Sequence, residues 1–206
     1  MANTPHDDSA LAARRAGFDA AIARSKQACA ESVALLARIR ERNPSLRPRV
    51  STRDAFDAFA RTLETDGIRA ALVYLRGLTD YRYLSIYRSR GDLARAAVHV
   101  DRDDPGATDT AEVAETATYC TFVRTSGGPF ATADAPRDAR LDGHPKQHAL
   151  ASYCGVPILT PEGELLGTLC HYDVVARDPG QLDLELLLQV ASRLVQSGAI
   201  PPYPEP

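Results

Sequence analysis

The chain has no tryptophan, a single methionine, and lysine only at Lys26 and Lys146, so its cationic side chains are almost all arginine. That arginine bias speaks of a GC-rich genome rather than of a function. No apolar run approaches the roughly 20 residues of a membrane-spanning helix. The net charge is −3, which gives no general attraction to nucleic acid or to an anionic membrane. The four cysteines, Cys29, Cys120, Cys154 and Cys170, form no CxxC pair, which excludes a zinc ribbon and a thioredoxin-type motif. The phosphate-cradling, nucleophile-elbow and HExxH patterns are absent as well, and no two carboxylates stand out as an acid/base pair. The polar, acidic start from Met1 to Asp8 has no basic segment followed by an apolar one, so no secretory signal is expected. The chain reads as cytoplasmic, with its cysteines as reduced thiols.

What is present is a folding pattern. Hydrophobic residues make up 44% of 206 positions, enough for one domain with a helical extension. After Asp7, Asp8 and Ser9, apolar residues recur at Leu11, Phe18, Ile22, Cys29, Val33, Leu36 and Ile39, the spacing of one helical face. Asn43-Pro44 ends that pattern. A helix of this length, on the order of 50 Å at 1.5 Å per residue, overreaches a small domain and suits a dimer. Ser51 caps a second helix, with Asp54 three places on. That helix carries Phe56, Phe59, Ala60 and Leu63 and ends at Gly67, and a short apolar helix follows to Leu78.

From Tyr81 the period changes to two. Tyr81, Tyr83, Ser85 and Tyr87 alternate with Arg82, Leu84, Ile86 and Arg88; Arg90-Gly91-Asp92 turns the chain, and Ala94 to Val100 returns. Residues 111–125 read as a helix, although Thr118 to Phe122 would also suit a strand. Phe130 to Ala133 is a short strand, and 134–145 a charged loop. Strands at Tyr153–Leu159 and Leu165–Tyr172 flank the turn Pro161-Glu162-Gly163. An amphipathic helix runs from Leu182 to Gln196, and the proline-rich end from Ile200 reads as loose. Helices at both ends of an antiparallel sheet define an α+β fold. The expected divisions are an N-terminal helical extension at 1–45, a domain at 46–198 and a tail at 199–206.

The segment SYCGVPI (152–158), its turn, and LGTLCHYD (166–173) resemble the last hairpin of a GAF domain. The loop PFATADAPRDARL, ending at Leu141, and the final helix resemble the same family, over about residues 50–197. The resemblance implies an antiparallel sheet of five to six strands with the terminal helices on one face. The segments 111–125 and 134–145 would cover the other face and enclose a pocket. It also implies a small-molecule-binding regulatory domain acting in signal transduction, and assigns no particular ligand or cofactor.

Candidate site residues follow from this arrangement. A hairpin turn centred near Glu162 sets Cys154 opposite Cys170, Val156 opposite Thr168 and Ile158 opposite Leu166, with the two thiols on one face. A slip of one residue would send one of them to the other face. Cys120, beside Tyr119, would bring a third thiol, with His144 or His148 at the rim. The spacing of these groups is long and irregular for a metal site. His171 should face away from Cys170, toward the terminal helices. The loop Asp134–Arg140 alternates acids and arginines. It is either an internally paired surface loop or a lid whose Arg137 or Arg140 grips an oxyanion, with Arg124 as a further candidate. Tyr119, Phe122, Phe130, Tyr153 and Tyr172 are available as an aromatic lining or as plain core. The ligand-binding candidates are therefore Tyr119, Cys120, Arg124, Phe130, Arg140, His148, Cys154, Cys170 and Tyr172, with no catalytic or metal site.

Three functions compete. The first is a non-enzymatic sensor whose small-molecule ligand shifts a homodimer built from the N- and C-terminal helices, acting on a downstream signalling protein. The second is a thiol redox enzyme resembling free methionine-R-sulfoxide reductase, with Cys120 in roughly the right region. The third is a dimerisation or docking module whose cavity is filled by side chains.

Overall fold

A computed structural model describes Gln27 and residues 50–204. Apart from Gln27, the expected helix over 8–42 lies outside the described residues, as do the linker at 46–49 and Cys29. Helix α1 spans Thr52–Gly77. Its first turn is capped by Ser51, whose Oγ accepts from the Asp54 N–H at 3.1 Å and donates to the Asp54 carboxylate at 2.7 Å. The two helices expected here are joined at Gly67, where φ is 83° and ψ 177°. Only glycine takes that conformation cheaply, so the residue read as a helix end is a kink between two helical halves. Ala55, Phe59 and Leu63 are buried before it, and Ala71, Leu72 and Leu75 after it.

The sheet is antiparallel and six-stranded: β1 Tyr83–Arg90, β2 Leu93–Asp101, β3 Val113–Ala114, β4 Phe130–Thr132, β5 Ser152–Leu159 and β6 Leu165–Asp173. Its order is β3-β2-β1-β6-β5-β4. Between β3 and β4 lies helix α2, Cys120–Ser126, and after β6 comes helix α3, Leu184–Ser197. Asp183 caps α3 by accepting from the Leu186 N–H and also accepts from Thr52 Oγ1 at 2.5 Å. One carboxylate thus ties together the starts of α1 and α3.

Strand alternation divides the side chains between two cores. On one face α1 and α3 pack on Leu84, Ile86, Val98, Val100, Val156, Ile158 and Leu169. Each large side chain buried there contributes about 1.5–3 kcal/mol. On the other face Tyr119, Cys120 and Val123, with Ala135 and Leu141 of the following loop, pack on Tyr153, Cys170 and Tyr172. The segment expected as one helix over 111–125 is broken: β3 leads into a 3₁₀ turn, Glu115–Ala117, and α2 begins only at Cys120. The physical reason is Thr118. Its backbone is extended, and its hydroxyl donates to the Glu115 carbonyl at 2.8 Å, a local bond that competes with the helix ladder.

The β5–β6 register also corrects the expectation. Next to the turn, Leu159 pairs with Leu165, as a turn centred on Glu162 requires. A bulge between Ile158 and Leu159 then inserts one extra residue into β6, and beyond it Ile158 faces Gly167, Val156 faces Leu169 and Cys154 faces His171. One extra residue reverses the sidedness of everything past it. Cys154 therefore belongs to the core under the terminal helices, and Cys170 to the opposite face.

His171 does face the terminal helices, fully buried, with its ring edge-on to Tyr81 at 5.8 Å. Among the described residues, neither of its ring nitrogens has a hydrogen-bond partner, nor does the Tyr81 hydroxyl. At the end of β6, Asp173 is buried and accepts from the Arg82 N–H at 3.0 Å, the Val175 N–H at 3.3 Å and Arg177 Nε at 2.8 Å. Within the C-terminal stretch, expected to be loose, Pro201 and Tyr203 make contacts with the domain. Arg88 Nη1 donates to the Pro201 carbonyl at 2.9 Å, the Tyr203 hydroxyl to Glu112 at 2.6 Å, and the Arg90 guanidinium lies 4.5 Å above the Tyr203 ring.

Candidate functional site

Between the sheet and α2 lies a pocket of about 320 Å³. Its floor is Tyr87 of β1, Tyr153 of β5, and Cys170 and Tyr172 of β6. Its roof is Thr118, Tyr119 and Cys120. One lip is Thr110, Ala111, Val113 and Ala117, and the other is Lys146, Ala149 and Leu150. Among the described residues, Lys146 is the one charged residue in this lining, and no carboxylate-bearing residue contributes to it.

Hydrogen bonds fix the roof to the sheet. The Tyr119 hydroxyl donates toward the carbonyls of Lys146 at 3.0 Å and Leu150 at 3.2 Å. That shared bond holds the loop carrying Lys146 against α2. Its ring also meets Tyr153 edge-on at 5.5 Å and His144 at 4.7 Å. Burial pushes the Tyr119 phenol up to about 12, so it stays protonated and able to donate. Tyr153 is buried, and its hydroxyl donates to Cys120 Sγ at 3.4 Å. The phenol reaches that far because position 155 is glycine: a Cβ there would lie 2.2 Å from the Tyr153 hydroxyl.

Behind the pocket, a polar triad is buried in the sheet. The Ser85 hydroxyl lies 2.9 Å from His99 Nδ1 and 3.1 Å from the Tyr172 hydroxyl. Tyr83 stacks on Tyr172 at 4.9 Å and on His99 at 5.8 Å. Burial holds the His99 imidazole below its ordinary value, so the triad is neutral. Tyr87 is pushed up to about 12, chiefly by burial. All phenols of the wall are therefore neutral donors and acceptors near pH 7.

The two pocket thiols differ. Cys120 is lowered, first by hydrogen bonding from the Cys170 thiol, then by Tyr153, Thr118 and Thr168, against the opposing effect of burial. Burial pushes Cys170 well above the usual thiol range. Its S–H donates to the Ser85 carbonyl at 3.7 Å. Cys154, in the other core, is pushed up to about 12 by burial alone.

Of the nine residues proposed from sequence, the structure brings four to the pocket: Tyr119, Cys120, Cys170 and Tyr172. The other five lie elsewhere. Cys154 is behind the sheet for the register reason given above. Arg124 is exposed and pairs with Glu115. Arg140 pairs with Asp138, donates to the Ala131 carbonyl at 2.7 Å and lies over the Phe130 ring at 4.7 Å. Asp138 is held at about 2 by that guanidinium. Phe130 stacks on Phe122 at 4.6 Å, outside the pocket lining. His148 is exposed. Arg137 is exposed and paired with Asp134 at 2.8 Å. The Asp134–Arg140 loop is thus internally paired, and its arginines do not turn inward.

Sequence reasoning missed Tyr87, Thr110, Val113, Thr118, Lys146 and Leu150 as wall residues. Tyr87 was accessible through its alternation with Tyr83 and Ser85, the positions that look away from Leu84 and Ile86. Lys146 was marked by rarity alone, and Thr110 and Val113 by nothing local.

Comparison with solved structures places this architecture among known ones. It is similar to the GAF domain of a phosphoenolpyruvate-protein phosphotransferase from Acinetobacter, with a TM-score of 0.56 and 13% identity over 72% of this chain and 92% of that one. The chromophore-binding domain of a bacteriophytochrome from R. palustris gives 0.54 and 11%, over 71% of this chain and 60% of that one. The free methionine-R-sulfoxide reductase from Neisseria meningitidis, solved with its substrate, gives 0.54 and 12%, over 71% and 91%. At such identities the likeness is one of fold. No curated protein matches the chain by sequence. The family model for the GAF domain matches residues 65–197, which takes in both faces of the sheet and the pocket between β6 and α2, and the chain therefore belongs to the GAF-domain family.

Proposed function

We propose that the protein is a small-molecule sensor whose ligand enters the pocket between the sheet and α2, and whose response leaves through the chain ends. The observation that carries this reading is the pocket's lining: tyrosines, threonines and cysteines, one lysine and, among the described residues, no carboxylate-bearing residue around a largely apolar space of about 320 Å³. Ligand pockets run from about 300 to 1,000 Å³, so this one suits a compact ligand of one or two rings. The absence of a carboxylate from the lining disfavours cations, and Lys146 favours an acid. The site is built for a neutral or singly anionic aromatic molecule.

The route outward is physical. The lip at Thr110–Val113 is continuous with Glu112, which accepts from the Tyr203 hydroxyl beyond α3. Displacing the lip strains a contact of the C-terminal chain, and through it the helices on the far face. We infer that these helices, with the segment at 8–42, form a homodimer that a downstream protein reads. The domain is then regulatory rather than enzymatic. The redox-enzyme reading keeps one supporting observation, the presence of both Cys120 and Cys170 in the pocket.

The test is a thermal-shift panel of aromatic carboxylates, phenols and matched aromatic amines. Carboxylates and phenols raise the melting temperature and amines do not. Lys146→Met weakens the carboxylates about tenfold, the loss of roughly 1.4 kcal/mol from a charged contact, and leaves phenols unchanged. Amines binding as well as acids would contradict the reading.

A further inference from the structure

We propose that Cys120 and Cys170 form a reversible dithiol–disulfide pair in the pocket wall, a site for oxidation by a small peroxide. The inference stands whether or not the pocket takes a ligand.

Three cysteines among the described residues are free and buried to nearly the same degree: Cys120 5% exposed, Cys170 1%, Cys154 3%. Burial alone gives them equal protection, but their positions differ. Cys120 and Cys170 border a cavity that a small solute can enter. Cys154 sits on the opposite face, packed under α1 and α3, and is not part of the lining of that cavity. Cys120 and Cys170 also belong to one packed cluster and contact the same Tyr153 environment.

The pair is chemically asymmetric. The Cys120 sulfur receives a hydrogen bond from the Tyr153 phenol at 3.4 Å, and that phenol lies over Gly155, the residue paired with Cys170; the bond favours the thiolate, the reactive form. Cys170 keeps its proton, held toward the Ser85 carbonyl. Cys120 is therefore the attacking sulfur and Cys170 the resolving one. In the first step the Cys120 thiolate attacks one oxygen of hydrogen peroxide. An S–O bond forms, the O–O bond breaks, the sulfur loses two electrons, and the leaving oxygen takes a proton and departs as water. The product is a sulfenic acid. In the second step the Cys170 sulfur attacks the Cys120 sulfur. An S–S bond forms and the S–O bond breaks, and hydroxide leaves with the Cys170 proton as a second water. Overall, two thiols and one peroxide give one disulfide and two waters. An external dithiol reverses it. The bond would pin the start of α2 to β6 and narrow the pocket between them.

The experiment treats the full chain carrying Cys29→Ser with hydrogen peroxide in the native state, followed by intact mass and non-reducing peptide mapping. The expected result is loss of two hydrogens, a Cys120–Cys170 cross-linked peptide, and reversal by dithiothreitol. Cys154 is alkylated only after unfolding. Cys120→Ser abolishes the cross-link, and Cys170→Ser arrests the reaction at a Cys120 sulfenic acid that dimedone traps. Peptide mapping of the wild-type chain reads the same pair should the Cys29 variant not fold. The proposal is overturned by a cross-link through Cys154, by oxygen addition without hydrogen loss, or by no reaction at Cys120 while the folded protein remains intact.

Discussion

Replacing Asp173 by alanine lowers the stability of the domain by about 2–4 kcal/mol, a large fraction of the roughly 5–15 kcal/mol that holds a native domain together. The carboxylate is 2% exposed and receives three donors: the backbone N–H groups of Arg82 and Val175, and Arg177 Nε. These come from the start of β1 and from the chain leaving β6, so one side chain holds together the end of the central strand pair. Alanine removes the acceptor and leaves the donors behind, and a donor left without its acceptor costs more than the bond itself contributes. Arg177 is partly exposed and recovers some water, which keeps the loss below that of a fully buried ion pair. Asp173→Asn retains an acceptor oxygen and should lose about half as much. Urea unfolding at pH 7 separates the two. Equal losses would show that the net charge, and not the acceptor geometry, is what matters there.

Acid destabilises the domain well above the range where its carboxylates protonate, and His171 is the main cause. Burial lowers this imidazole from 6.5 to about 3. Between those two values the unfolded chain binds a proton at this position and the folded chain does not. Stability is therefore complete above about pH 6.5 and falls as the pH drops through the window down to about 3. The slope is at most about 1.4 kcal/mol per pH unit, so between pH 7 and 4.5 the loss is on the order of 3 kcal/mol. His99 and His144 are lowered by burial too and add to the same slope. His171→Leu removes two buried nitrogens that have no partner among the described residues, so at pH 7 it should be neutral or stabilising. At pH 4.5 it should be the more stable protein, having lost most of the slope. Parallel urea titrations at the two values check this. An unchanged slope in the leucine variant would locate the acid sensitivity elsewhere.

Which parts of this molecule were legible in the sequence depends on the range of the forces involved. Local signals held: Ser51 and Asp54 start α1, the period-two run makes β1, and the turn at Glu162 pairs Leu159 with Leu165. The family resemblance anticipated the antiparallel sheet with its terminal helices on one face. The bulge at Ile158 was not legible, because it is settled by how β6 fits β1 as well as β5, and it alone moved Cys154 out of the candidate site. The arginines of the 134–140 loop looked like ligand clamps because sequence shows charges without their partners. In the fold each is met within a few residues, Arg137 by Asp134 and Arg140 by Asp138. The lip at Thr110–Val113 reaches the pocket only through the crossing of β3 beside β2, a long-range pairing with no local mark.

Sensing by this domain requires that the hollow between β6 and α2 hold a small molecule. Native mass spectrometry of the protein released gently from the cells that make it tests this most directly, run beside an Ala117→Trp variant in which the indole fills the pocket. The expected result is an added mass on the wild-type chain that is absent from the filled variant. The same mass on both proteins, or a bare chain in both, would contradict it.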